Sequence, residues 1–93
     1  VCADPATGAT RRFLTAPPNA EVTGVVMTPD GRSMFVGIQH PGEDSPAANP
    51  TQFSAWPQSQ FAVRADGVSA LVAGRPRSAV VVITKDDGGI IGT

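Results

Sequence analysis

Residues 21–42 read EVTGVVMTPDGRSMFVGIQHPG, and the rest of the chain is organised around them. The stretch predicts two antiparallel strands, Val22–Thr28 and Ser33–Gln39, joined by a tight turn at Pro29-Asp30-Gly31-Arg32. Proline suits an early turn position, and glycine takes positive φ at no steric cost. Within the strands Val, Met, Phe and Ile alternate with small residues, as a pleated, half-buried surface accepts. His40-Pro41-Gly42 ends the hairpin, because proline cannot donate to a ladder and glycine breaks it. One carboxylate, Glu21, stands at the start of the first strand.

The chain has 93 residues, is 41% hydrophobic and carries a formal charge of −1, which bounds it to one small domain or a piece of a larger one. Tyrosine is absent, and the apolar content is mostly Ala and Val. Each of these buries little area, so a core built from them is thin and independent stability is weak. A single cysteine, Cys2, excludes an internal disulfide. The near-neutral charge has no basic patch beyond Arg11-Arg12 and Arg75/Arg77, which argues against a nucleic-acid partner. No apolar run approaches the roughly 20 residues of a membrane span. The first residue is valine, and the reading is a cut inside a longer protein.

Val1–Asp4 and Arg11–Thr15 are expected to pair as a hairpin around Pro5–Gly8, so that residues 1–15 form the outer hairpin of a preceding unit. Ala16–Ala20 connects it to the central hairpin. His40–Pro76 is a long excursion with five prolines. Its only periodic pieces, Phe61–Val63 and Val68–Val72, read as short strands or a helical turn. A connection of that length is commonly functional or mobile. Ala79–Thr84 is the firmest strand. The β-branched run Val80–Ile83 predicts burial on both faces. Asp86–Gly89 is a hairpin turn, and Ile90–Gly92 a last short strand. Cys2 is expected to be a small buried hydrophobe, and Trp56 the packing anchor of the long loop.

The fold class is therefore all-β: an antiparallel meander over residues 22–92, with a loop insertion at 40–77. Four strands with an inner hairpin make one β-propeller blade, and the preceding hairpin supplies the outer strand of its neighbour. The other reading is a small open meander or sandwich. In either meander, alternate connections lie at opposite ends. The turns at Pro29–Arg32 and Asp86–Gly89 share one end, and Ala16–Glu21 shares the other with His40–Arg77. That second end collects Glu21, Gln39, His40, Glu43, Asp44, Arg75 and Arg77. Function on a rigid scaffold concentrates in such loops.

The ordered set Glu21-Val22-Thr23-Gly24, Phe35–Glu43 (FVGIQHPGE) and Gly74–Ala79 (GRPRSA) resembles the C-terminal part of the PhoX-type alkaline phosphatases. The resemblance covers nearly the whole chain and is weakest across Asp44–Val72. It implies a six-bladed propeller, exported through the twin-arginine route to the periplasm. It also implies hydrolysis of phosphomonoesters with iron and calcium ions in a central channel. Glu21 resembles a metal ligand of that site, and a carboxylate is a suitable hard donor to both ions. The remaining ligands, a cysteine among them, are expected from other blades and not from Cys2. No catalytic side chain is assigned within this chain.

Each of these residues also has a plainer reading. Glu21 can be a capping or salt-bridge carboxylate at a strand start. Arg75 and Arg77 can clamp phosphate through their planar donor forks, or pair with Glu43 or Asp44 and pin the long loop. His40 and Glu43 can line a loop site, or be a turn histidine and a solvated acid. With one carboxylate the isolated chain is expected to be inactive. Unpaired sheet edges make self-association plausible. A propeller-derived binding or structural fragment without catalysis is the alternative function.

Overall fold

The structure, a computed structural model, describes residues 1–57 and 75–93. The expected pieces at Phe61–Val63 and Val68–Val72 lie outside the described residues. The described residues are all-β and antiparallel. β1 (Cys2–Ala3) pairs with β2 (Thr10–Arg11), and β3 (Glu21–Met27), β4 (Ser33–Gln39) and β5 (Ala79–Thr84) form a sheet in the order β3-β4-β5.

The central hairpin forms as its residues dictate. Thr28 N donates to Ser33 O at 2.9 Å and Gly31 N to Thr28 O at 2.9 Å, closing the turn. Asp30 then ties the turn from within, accepting from Thr28 Oγ1 at 2.6 Å and from Arg32 N at 3.1 Å. These bonds, the Thr28 hydroxyl first, hold the Asp30 carboxyl below its ordinary pKa. A folded-state pKa below the unfolded one adds stability that is present above about pH 4 and is lost as pH falls through the folded value. The melting-temperature gap between wild type and Asp30→Ala should therefore be widest near neutrality and narrow steadily in acid. A gap that widens below pH 4 would contradict this account.

Partners across an antiparallel ladder share a face, and alternate residues along a strand do too. Val36 and Ile38, opposite Val81 and Ala79, lie on one face. Trp56 closes over that face, and these three form the buried core, with Val36 2%, Ile38 3% and Trp56 7% exposed. Leu14, Ala16 and Ala20 pack around them, so the connection before β3 is part of the core. Trp56 thus anchors the long loop as expected.

Four sequence expectations differ from the structure. Ile90–Gly92 forms turns in place of a fourth strand, so the sheet has three strands among the described residues. Gly88 and Gly92 sit at φ 68° and 93°, which a ladder does not accommodate. The segment is instead held by Ile91 N donating to Gly31 O at 2.9 Å and Lys85 Nζ donating to Thr93 O at 2.8 Å. The strand expected over Arg11–Thr15 stops at Arg11, because its ladder partner is only Cys2–Ala3. Leu14 then leaves the hairpin to pack on the core. Cys2 is exposed, with Sγ donating to Arg11 O at 3.6 Å. Finally, β5 is half-buried on one face and exposed on the other. Val80 and Val82 are 67% and 58% exposed, since nothing among the described residues covers the face opposite Trp56.

The two ends of the meander are as the topology requires. At one end Arg32 Nη1 donates to Gly88 O, joining the two turns. The other end holds the candidate functional residues.

Candidate functional site

Glu21 opens β3 directly opposite Gln39, the last residue of β4. The side chain is exposed. Register puts it on the face of Thr23, Gly37 and Phe35, away from Trp56. This carboxylate makes no hydrogen bond or ion pair among the described residues. The plainer reading, a salt-bridged carboxylate, therefore has no partner among the described residues.

Around it, loop backbone is tightly organised. His40, next to Gln39, adopts φ 52°, and Asn19, two residues before Glu21, adopts φ 55°. Both are residue types that tolerate the left-handed region. His40 N donates to Ser78 Oγ at 3.2 Å, joining the end of β4 to the start of β5. Gly42 N donates to Pro18 O at 2.9 Å, and Asn19 Nδ2 donates to Asp44 Oδ2 at 2.8 Å. These two bonds lash the incoming loop to the outgoing one. Gly42, at φ 69°, lies so close to the long loop that a Cβ would sit 3.2 Å from Ser54 Cβ. Arg77 N donates to Trp56 O at 3.0 Å, fixing the return of the chain against the core.

The structure therefore brings Glu21, His40 and the Arg77-Ser78 step to one end, as the topology predicts. Glu43 and Asp44 are exposed on the turn after Gly42, and Glu43 N donates to His40 O at 3.0 Å. Arg75 and Arg77 are exposed. Asn19 and Ser78 were not singled out from sequence, yet they carry the bonds that hold this end together. The Asn after two prolines was the available signal, since Asn is favoured where a turn needs positive φ.

A hard oxygen donor with no competing partner fits one position of a metal centre. It does not make a centre alone. Among the described residues no group of three or more His, Cys, Asp or Glu side chains could hold an ion. A complete centre would need ligands beyond the described residues. No helix among the described residues is long and apolar enough to cross a membrane.

Comparison with known proteins supplies the context. The family described as alkaline phosphatase PhoX matches residues 1–42. Among solved structures, Pseudomonas fluorescens PhoX in complex with vanadate, a transition state analogue, aligns with TM-score 0.72 and 45% identity over 98% of this chain. The chain spans 13% of the length of that protein. No curated protein sequence matches. The match spans Glu21, the central hairpin and the loop end at once, and in sequence and fold the chain is similar to a segment of the PhoX-type alkaline phosphatases.

Proposed function

We propose that this chain is a segment of a metal-dependent phosphomonoesterase, in which Glu21 donates its carboxylate to an iron- and calcium-containing centre in the channel of a β-propeller. The observation that carries the reading is the 45% identity, over 98% of the chain, to a phosphatase captured with a transition-state analogue. The exposed, unpartnered carboxylate at the start of β3 supports it. When bound, the metal centre supplies Lewis-acid charge to phosphoryl oxygens. The chain's own residues bind and orient. Glu21 contributes a hard anionic donor. Arg75 and Arg77 offer planar donor forks to the non-reacting phosphate oxygens, and His40 and Glu43 line the loop beside them. Substrates of this class are phosphomonoesters, and the proposed compartment is the periplasm. One carboxylate cannot hold a metal cluster, so the 93-residue chain alone is inactive.

The test is elemental analysis of the full-length protein that carries this segment, wild type beside Glu21→Ala, together with phosphatase assays. Iron and calcium are expected in the wild type, with iron lost and activity abolished in the variant. Absence of bound metal from both proteins, or full metal and activity in Glu21→Ala, overturns the reading.

A further inference from the structure

The first strand of the hairpin is not regular. Its register runs Glu21↔Gln39, Val22↔Ile38, Thr23↔Gly37 and then jumps to Val25↔Val36, leaving Gly24 as the extra residue of a β-bulge. Gly24 holds φ 50°. Across the ladder, Gly37 allows the strands to close in: a Cβ there would lie 2.7 Å from both Thr23 O and Thr23 Oγ1. A bulge increases local twist and bends its strand, and so re-aims the side chains beside it. Only Glu21, Val22 and Thr23 precede this one in β3. Of these, Glu21 alone carries a charge.

We infer that the Gly24 bulge, seated against Gly37, is a positioning device that sets the direction of the Glu21 carboxylate. This rests on the proposed role of Glu21 as a metal ligand. Nothing among the described residues lies within 4 Å of a Cβ added at Gly24, so the site is open among them. Without the extra residue, each of the pairs from Glu21↔Gln39 to Met27↔Met34 would still form in a continuous ladder. The glycine is needed for its backbone angle, not for space. Glu21 itself has no hydrogen bond to hold it among the described residues, so the path of its own strand is what orients it.

Because the position is open, the backbone angle can be tested apart from sterics. In the full-length protein, Gly24→Asn and Gly24→Val both add atoms into solvent, but only Asn tolerates positive φ, whereas a β-branched residue does not. Iron and calcium per chain are measured by elemental analysis, and calcium affinity by titration calorimetry. Melting temperature is read on metal-stripped protein. Gly24→Asn should keep wild-type metal content, while Gly24→Val should lose about 10–100-fold in affinity, as outer-shell changes do. The far-ultraviolet circular dichroism of the two stripped variants should match. Wild-type metal affinity in Gly24→Val overturns the inference, as does an equal loss in Gly24→Asn. If Gly24→Val does not fold, deletion of Gly24 replaces it, since that change keeps every cross-strand pair. Wild-type affinity in the deletion also overturns the inference. Glu21→Gln separates the two levels. Metal retained there means the ligand reading has failed, whereas metal lost there but kept in Gly24→Val means that only the positioning role has failed.

Discussion

Truncation of Trp56 to alanine should destabilise the protein by about 3–5 kcal/mol, the range seen when a large aromatic is removed from a core. Here the core is Val36, Ile38 and Trp56, and Trp56 is its one aromatic member. It comes from the long loop, while the other two come from β4. Removing it uncovers Ile38 together with Val81 and Ile83 of β5, and detaches the loop from the sheet. Native domains have stabilities of only about 5–15 kcal/mol, so a large share of the margin should go. Urea unfolding followed by circular dichroism would measure the loss. Trp56→Phe, which keeps a ring in the pocket, should lose distinctly less. A midpoint for Trp56→Ala equal to that of wild type would mean that the loop does not form the core. In the 93-residue chain the sole tryptophan also offers a direct check, because with no tyrosine present the emission reports Trp56 alone and should shift to longer wavelength on unfolding.

Gly37→Val is expected to have the next largest effect. The first added carbon already lies 2.7 Å from Thr23 O and Thr23 Oγ1. A hydroxyl can rotate away, but the carbonyl is backbone of the paired strand and moves only if the β3–β4 ladder opens beside Glu21. Overpacking of this kind costs about 1–3 kcal/mol, and more where the obstacle is backbone. Gly37→Ala in a Thr23→Ala background should recover only part of the loss shown by Gly37→Ala alone, since that pairing removes the hydroxyl contact and leaves the carbonyl one. Full recovery would show that the hydroxyl was the whole obstacle. By contrast, an alanine Cβ at Gly8 meets no atom of the described residues within 4 Å, so the cost there comes from the positive φ of 71°.

These two positions also show how far the residues could be read without the fold. The β4 strand and its neighbours were legible, because Met34, Val36 and Ile38 alternate and β-branched residues fill β5. The turn at Pro29–Arg32 was legible from its proline, aspartate and glycine. Placing Glu21, His40, Arg75 and Arg77 at one end followed from counting connections in a meander. The bulge was not legible. In EVTGVVM a glycine between Thr23 and Val25 fits a regular strand as well as an irregular one, and only the pairing with β4 reveals the skipped residue. The last strand was misread for a related reason. Ile90 and Ile91 have strand propensity, but Gly88, Gly89 and Gly92 let the chain fold back onto Gly31 and Lys85.

Sequence by itself determined the all-β class, the central hairpin and the kinship with PhoX-type phosphatases, because local alternation, turn chemistry and ordered motifs are properties of neighbouring residues. Tertiary structure alone decided which face of β5 is buried, how Asn19 and Asp44 tie the two loops together, and how the strand bends behind Glu21. Those depend on which distant segments meet. Chain periodicity carries no record of a contact between residues 19 and 44, or of the close approach of residue 37 to Thr23.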